Sequence, residues 1–151
     1  SVVYWDNSGS SGYDFTIQRV ETAAAAFADS DPANDVRAGA TALAALPAVV
    51  TGATLTSLRD HDWFSFTAAA ADVGRSLRVQ TVAGDPRTDT VLDVLASDGI
   101  TSLGGPSNDF DFHEDFTSAP LPAAGTYYVH VYASPTFDAN YRAYQLVARL
   151  Q

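Results

Sequence analysis

Short segments of alternating apolar and polar residues, separated by turn-forming residues, occupy this chain from residue 48 onward. Because successive side chains of a strand point to opposite faces, a period of two indicates half-buried strands. The clearest alternations are Leu77/Val79, Tyr127/Val129/Val131 and Tyr144/Leu146. We predict strands at residues 48–57, 62–68, 76–82, 90–96, 126–132 and 142–150. Connections rich in Gly, Asp, Asn and Pro separate them, which favours an all-β, antiparallel sandwich over alternating strands and helices.

One face of each strand should point into a shared core. The chain has 151 residues, enough for one domain with a proper core and too few for two ordinary domains. The alternation predicts which side chains fill that core: Phe64, Phe66, Leu77, Val79, Val129, Val131 and Leu146.

The first thirty residues differ in pattern from the rest. Residues 1–20 are interpreted as a hairpin, in which Tyr13, Phe15 and Ile17 alternate with polar residues after a Gly/Ser-rich turn. This hairpin is either the tail of a preceding copy of the domain or an addition that completes this one. Residues 21–30 are predicted to be an alanine-rich linker with a helical turn or two, which leaves 31–151 as the sandwich domain.

Composition excludes several classes of function. The net charge is −10, and the eight basic residues, all arginine, are scattered, so no phosphate-neutralising patch for nucleic acid can form. Without cysteine there are no disulfides, thiolate metal sites or cysteine nucleophiles. No apolar run is long enough to span a membrane. The lack of methionine predicts a mature fragment or an excised domain.

Acidic residues cluster in two places along the chain. Asp60 and Asp62 stand two residues apart at the start of an aromatic strand, and Asp31-Pro32-Ala33-Asn34-Asp35 supplies a second group. Oxygen donors from two separate segments suit a hard cation such as calcium, whereas zinc would favour His or Cys. The alternative is that these are turn residues and solvated charges at a strand end.

Aromatic residues with polar ends alternate with the buried positions of one predicted strand. Tyr128, His130 and Tyr132 should lie on the outer face of the sheet, opposite Tyr127, Val129 and Val131. Such a face can bind an extended polymer, either peptide or glycan. In the alternative, another segment of the chain, such as residues 1–20, covers it.

Two further patterns carry no site. Residues 108–116 interleave acidic residues with phenylalanine, and we interpret them as a charged edge strand with inward Phe and outward Asp. Their spacing does not match the EF-hand loop. A Ser-His-Asp hydrolase is not supported, since the sequence has no Gly-x-Ser-x-Gly motif and none of its three histidines lies in a recognisable catalytic context.

Four stretches resemble, in sequence and in order, the bacterial pre-peptidase C-terminal domain, also called the collagen-binding-like domain of secreted peptidases. They are Asp31-Pro32-Ala33-Asn34-Asp35, Asp60-His61-Asp62-Trp63-Phe64-Ser65-Phe66, Asp89-Thr90-Val91-Leu92-Asp93-Val94-Leu95 and Gly125-Thr126-Tyr127-Tyr128-Val129-His130-Val131. Tyr144-Gln145-Leu146 resembles the closing strand of that family. Ala33 lengthens the first motif by one residue.

The resemblance implies a jelly-roll-like sandwich that binds calcium and has no catalytic residues. Such domains accompany a catalytic domain, usually a peptidase, in secreted bacterial enzymes, and they aid substrate binding, secretion or stability. The metal ligands carried over are Asp31, Asn34, Asp35, Asp60 and Asp62. The expected partners are a polymeric substrate, either protein or polysaccharide, and the neighbouring catalytic domain. A carbohydrate-binding or adhesion module on a similar sandwich is the alternative.

Overall fold

The computed structural model describes residues 24–83, 88–108, 114–135 and 143–151, together with the backbone of two short strands near the N-terminus. Its strands are β1 (Val2–Val3), β2 (Ile17–Gln18), β3 (Ala25–Ala28), β4 (Thr41–Ala42), β5 (Ala48–Thr54), β6 (His61–Ala68), β7 (Leu77–Ala83), β8 (Thr90–Leu95), β9 (Asp115–Thr117), β10 (Gly125–Ala133) and β11 (Ala143–Leu150). One-turn 3₁₀ helices lie at Ala33–Asp35, Arg37–Gly39 and Ala70–Asp72. Within these ranges no helix is long and apolar enough to cross a membrane.

Nine of these strands form two packed sheets, which confirms the predicted all-β sandwich. The four-stranded sheet has the order β4-β6-β10-β8, and the five-stranded sheet has the order β3-β5-β11-β7-β9. From β3 to β11 each successive strand belongs to the other sheet, so every connection crosses the sandwich. This crossing pattern is typical of a jelly-roll-like arrangement, in which neighbouring strands of one sheet are distant from each other in sequence.

The core lies between the inner faces of the two sheets. In β6 and β10 buried and half-buried residues alternate strictly along most of the strand, as a half-buried strand demands. All seven side chains predicted to fill the core are buried: Phe64, Phe66, Leu77, Val79, Val129, Val131 and Leu146. The prediction of the core is therefore confirmed.

The alanine-rich segment before the first acidic group is a strand and not the predicted helical turn. Ala25–Ala28 runs parallel to β5, and the Ala25 amide donates to the Pro47 carbonyl. Phe27 packs against the core. A helix this short gains little from alanine propensity, whereas pairing at a sheet edge satisfies the backbone and buries a phenylalanine. The expectation of helix here is wrong because tertiary contacts outweigh local preference.

Two short parallel pairings complete the sheets at their edges. β3 pairs with β5 in one sheet, and β4 pairs with β6 in the other, both in parallel, while the remaining pairs are antiparallel. The segment between β3 and β4 therefore passes from one sheet to the other across one end of the sandwich. This segment, residues 29–40, holds the first acidic group.

The N-terminal residues form a separate antiparallel pair, with Val2 opposite Gln18 and Val3 opposite Ile17. This pairing agrees with the predicted hairpin. The side chains of Tyr13, Phe15 and Ile17 lie outside the described residues. Whether residues 1–20 belong to a preceding repeat, and where the domain boundaries fall, therefore stay predictions.

The acidic stretch after residue 107 is described in part. Asp115–Thr117 forms β9 at the edge of the five-stranded sheet, with Phe116 directed toward the core and Asp115 exposed. Asp115 forms an ion pair with Arg78 of the neighbouring strand. This matches the interpretation of a charged edge strand; residues 109–113 lie outside the described residues.

Truncation of a core leucine should destabilise the sandwich far more than truncation of a surface leucine. Leu146 is fully buried, whereas Leu58 is 52% exposed. We expect Leu146→Ala to lower the free energy of unfolding by about 2–5 kcal/mol, because it removes buried methyl groups and leaves a cavity. Leu58→Ala should change it by about 0.5 kcal/mol or less. Urea unfolding of both variants measures this, and similar losses would contradict the sandwich core.

Candidate functional site

The two acidic groups of the sequence meet at one end of the sandwich. Asp60 immediately precedes β6 of the four-stranded sheet, and Asp62 is the second residue of that strand. Asp31 and Asp35 belong to the crossing segment, which leaves β3 and enters a 3₁₀ turn at residues 33–35. One carboxylate oxygen each from Asp31, Asp35 and Asp60 lies within 4.8 Å of the other two. The fold therefore brings together carboxylates that are separated by 25 or more residues in sequence.

Asp60 is held in place by the loop that precedes β6. Its Oδ2 atom accepts hydrogen bonds from the backbone amide of Thr56 and from the Thr56 hydroxyl, the latter at 2.7 Å. The residue is only 3% exposed. With one oxygen fixed in this way, the other oxygen of the carboxylate is directed elsewhere and remains available to a cation.

Asn34 and Asp62 form a second, fully buried layer behind these carboxylates. The Asn34 Nδ2 atom donates to Asp29 Oδ1 at 2.9 Å and to Asp62 Oδ1 at 3.1 Å. The Tyr144 hydroxyl donates to the other oxygen of Asp62 at 2.6 Å. Both oxygens of Asp62 thus accept hydrogen bonds within the protein. Since the Asn34 amide nitrogen points at two carboxylates, its oxygen must face away from them.

Several oxygens of this cluster lack a hydrogen-bond partner in the described part of the chain. Buried polar atoms in native proteins are almost always hydrogen-bonded, so a group of exceptions indicates a missing partner. A hard cation would satisfy such a group, because calcium binds six to eight oxygens from carboxylates, amides, carbonyls and water. The atoms concerned are Asp29 Oδ2, Asn34 Oδ1, Asp35 Oδ1 and Asp60 Oδ1.

Burial, together with the neighbouring negative charges, raises the pKa values of Asp29, Asp31 and Asp62. Burial is the main cause that raises the pKa of Asp62 to about 8; neighbouring carboxylates add to it, and the Tyr144 hydrogen bond opposes it. Burial and the charge of Asp60 raise the pKa of Asp29 as well, against its hydrogen bonds to Asn34 and Ser30. For Asp31 desolvation and then the charges of Asp60 and Asp35 raise the pKa. Without a cation, Asp62 therefore favours its protonated form at neutral pH.

The residues expected to bind metal do not all occupy equivalent positions. Asp31, Asp35 and Asp60 converge, Asn34 joins them with its unpartnered oxygen, and Asp62 lies behind with both oxygens occupied. Asp29 was not among the expected ligands. Its signal in the sequence is that Asp29 and Asp31 stand two residues apart beside a strand, just as Asp60 and Asp62 do. Tyr144 could not be found this way, because it comes from the other sheet.

A close backbone approach holds the crossing segment in shape. A Cβ atom at Gly39 would lie 1.8 Å from the Ala33 carbonyl oxygen, so the second 3₁₀ turn packs directly on the first, and only glycine fits. The first turn carries Asn34 and Asp35. Gly39 is thus a positioning residue for the acidic cluster.

A second group of side chains lies on the outer surface of the four-stranded sheet. We call His61, Trp63, Tyr128, His130 and Tyr132 the aromatic face; all five are half-buried and lie on β6 and β10. The register places Trp63 opposite His130 and His61 opposite Tyr132. The predicted residues Tyr128, His130 and Tyr132 therefore share one face as expected, while His61 and Trp63 extend it.

The rings of the aromatic face pack against one another. Trp63 and His130 stack with centroids 4.0 Å apart and planes 12° apart, and the His130 and Tyr132 centroids are 4.8 Å apart. Tyr128 meets Trp63 edge to face, and the Arg37 guanidinium lies 5.7 Å from the Tyr128 ring centre. Burial, with the nearby His61, lowers the pKa of His130 to about 4. The interpretation that residues 1–20 cover this face concerns side chains outside the described residues and stays a prediction.

No protein-family model matches the sequence, and no curated protein matches it. Among solved structures, the chain is similar to the pre-peptidase C-terminal domain of a collagenase from Bacillus anthracis. The identity is 19% and the TM-score 0.51, and the match covers 73% of this chain and 94% of that domain. The chain is also similar, at a lower TM-score, to PliG from Aeromonas hydrophila, a periplasmic inhibitor of g-type lysozyme. The identity is 17% and the TM-score 0.49, and the match covers 85% of this chain and 100% of PliG.

The first of these similarities concerns the fold, and it agrees with the family resemblance in the sequence. The similarity of the fold to a sandwich of the pre-peptidase C-terminal type is confirmed. At 19% identity the similarity does not extend to ligands or partners. Those depend on the acidic cluster and on the aromatic face.

Without metal, the folded protein should lose stability as the pH rises. The unfolded pKa of Asp62 is near 3.8 and the folded pKa about 8, so the folded state holds a proton that the unfolded state has lost between these values. Its stabilising effect is complete below the unfolded pKa and disappears as the pH rises through the folded pKa. The lowered pKa of His130 has the opposite effect, but only below its ordinary value of 6.5. Urea unfolding in EDTA should therefore give a lower stability at pH 8.5 than at pH 7.

The matched variant for this measurement is Asp62→Asn, which is neutral at every pH. It should show a smaller decline between the same two pH values. Equal declines in the variant and the parent protein would show that Asp62 is ionised in the folded state.

Proposed function

We propose that this chain is a calcium-binding, non-catalytic accessory domain of a secreted bacterial hydrolase of the peptidase class. Calcium joins the crossing segment to the start of β6, and the aromatic face binds the polymeric substrate of the enzyme. The observation that carries the proposal is the convergence of three carboxylates in a cluster with four unpartnered oxygens. Two of these oxygens belong to the converging carboxylates themselves. The family resemblance in the sequence and the similar fold of a collagenase domain support the assignment to a hydrolase.

The donor set favours calcium over other common metals. Asp31, Asp35 and Asp60 each supply a carboxylate oxygen, and Asn34 supplies an amide oxygen. Asp29 Oδ2 is a further candidate. All of these are hard oxygen donors, which calcium prefers, and their number leaves room for water or backbone carbonyls in a shell of about six to eight ligands. Zinc would require nitrogen or sulfur donors that this cluster does not contain.

Each residue of the cluster has a distinct task in this proposal. Asp31, Asp35 and Asp60 hold the cation, and Asn34 adds a neutral oxygen. Asp62 orients the Asn34 amide and is itself held by Tyr144 from the opposite sheet. When bound, calcium supplies the positive charge that the cluster lacks. The expected consequence is that the crossing segment and both sheets become more stable at this end.

The aromatic face favours a polypeptide ligand over a glycan. Sugar rings stack on an exposed aromatic face, but here the rings cover one another: Trp63 stacks on His130, and Arg37 lies over Tyr128. Rings packed in this way offer less free face to a sugar, whereas hydroxyl and N–H groups of such side chains can hydrogen-bond to the amides and carbonyls of a peptide. A carbohydrate-binding or adhesion module is the second candidate, since peptide-binding and glycan-binding domains can both present aromatic residues on an outer sheet face.

The proposed location is outside the cell, where calcium is abundant and where secreted hydrolases act. The acidic surface and the lack of cysteine are compatible with that environment. The proposed partners are a neighbouring catalytic domain in a longer chain and a protein polymer.

Calcium should raise the melting temperature of the parent protein. A cation that binds the folded state and not the unfolded chain stabilises by about 2.7 kcal/mol at a hundredfold excess over its dissociation constant. For a chain of this length that corresponds to a shift of several degrees. Differential scanning calorimetry in EDTA and in millimolar calcium chloride measures it. Asp35→Asn should abolish most of the calcium-dependent shift, because it removes a charged ligand.

The control for this shift is Asp115→Asn, which removes an exposed acid on β9, paired with Arg78 and belonging to the edge of the five-stranded sheet. This variant should lower the melting temperature slightly and equally with and without calcium. Should the parent protein melt at the same temperature in EDTA and in calcium, the metal site does not exist.

Removal of two aromatic side chains should weaken binding to a protein polymer. We expect Tyr128→Ala with Tyr132→Ala to reduce retention on insoluble collagen by about tenfold or more, since aromatic residues dominate such interfaces. Co-sedimentation with collagen, cellulose and chitin in parallel separates the two candidate functions. Gln80→Ala, on the outer face of the other sheet, should bind like the parent protein. Retention on cellulose or chitin instead of collagen would favour the carbohydrate-binding module.

A further inference from the structure

Two histidines on the aromatic face point ring nitrogens at each other. The His61 Nδ1 atom lies 2.9 Å from the His130 Nε2 atom. In the absence of another partner, one nitrogen must carry the proton and donate it to the other. Two imidazole nitrogens that converge in this way from separate strands constitute a chelating pair.

The strand pairing fixes the positions of these two rings. In the β6–β10 ladder His61 is opposite Tyr132 and His130 is opposite Trp63, so the two histidines are diagonal neighbours on one face. Trp63 stacks on the His130 ring at 4.0 Å, and the Tyr132 centroid lies 5.7 Å from that of His61. Since neighbouring rings restrict both side chains, little conformational entropy remains to be lost when a ligand binds them.

We propose that His61 Nδ1 and His130 Nε2 form a binding site for a divalent transition metal of the nickel, copper and zinc class. Imidazole nitrogens suit these metals, whereas calcium prefers oxygen donors. Metal–nitrogen bonds of about 2.0 Å place two ligands roughly 2.8 Å apart at a right angle and roughly 3.3 Å apart at a tetrahedral angle. The observed separation of 2.9 Å lies within that range.

Binding requires a change in the two rings and not in the backbone. The metal replaces the hydrogen bond between the nitrogens, and the donor histidine moves its proton to its other ring nitrogen, so that both facing nitrogens offer a lone pair. The ring centroids lie 5.0 Å apart with 23° between the planes, so the two nitrogens face each other almost head-on, and each ring must turn before both lone pairs aim at a common point. The protein then supplies two ligands, and water completes the coordination of the metal. Both residues retain partial exposure to solvent.

This site is separate from the acidic cluster, although one strand carries parts of both. Successive side chains of β6 alternate between its faces: Asp62 is fully buried on the inner side, and His61 lies on the outer side. The inner cluster offers oxygens and the outer pair offers nitrogens. The two sites should therefore bind different classes of metal and respond to different substitutions.

The fluorescence of Trp63 offers a direct measurement, because nickel or copper bound at the pair would lie close to its ring. The titration uses the Trp5→Phe variant, in which Trp63 is the remaining tryptophan, with nickel chloride or copper chloride added in excess calcium chloride. We expect saturable quenching with one metal per chain, reversed by EDTA. Zinc chloride should compete with the quenching metal.

Three substitutions test the assignment to these two residues. His61→Ala and His130→Phe should each weaken binding by roughly a hundredfold, as expected when two linked ligands become one. The phenylalanine keeps a ring against Trp63, so it separates loss of the ligand from loss of the stack. Asp115→Asn, which changes an exposed acid on β9 of the other sheet, should bind nickel like the parent protein. Absence of saturable quenching up to millimolar metal, or equal binding by both histidine variants and the parent, would overturn the proposal.

Discussion

A hydrogen bond from Tyr144 to Asp62 joins the two sheets of the sandwich at its acidic end. Tyr144 belongs to the five-stranded sheet and Asp62 to the four-stranded sheet, and both are buried. A buried carboxyl is tolerated only when hydrogen bonds replace the water that it loses. Asn34 supplies the second of these bonds, and in doing so its amide is fixed against the start of β6. The buried layer of the acidic cluster, Asn34 and Asp62, thus depends on one polar contact between the sheets.

The two ends of the sandwich core differ in character as a result. The interior is apolar along most of β6, β10 and β11, but at the end where β6 starts it becomes a network of carboxyls, an amide and a phenol. Networks of this kind are rigid when every member is satisfied and costly when one is not. The unpartnered oxygens of Asn34 and Asp60 show that the described residues alone do not complete this network. A cation is the partner that their chemistry fits.

The sequence was sufficient to predict the strands and the core, because period-two alternation reports directly which side of a strand is buried. It also located Asp31, Asp35 and Asp60, whose convergence follows from the fold. It could not distinguish the roles of Asp60 and Asp62, since spacing does not tell which carboxylate is occupied by a partner from another sheet. The strand at Ala25–Ala28 was missed for a related reason: its pairing with β5 outweighs the helix preference of alanine. In each case the missing information was a long-range contact.

Strand β6 gives the chain little freedom to vary by insertion or deletion. Its inner side carries Asp62 and Phe64, and its outer side carries His61 and Trp63. One residue gained or lost at the start of the strand would exchange these sides, placing the aromatic rings in the core and the acid on the surface. The interior, the acidic cluster and the aromatic face would then fail together. Insertions or deletions are therefore tolerated in the loops on either side of β6 but not within the first residues of the strand.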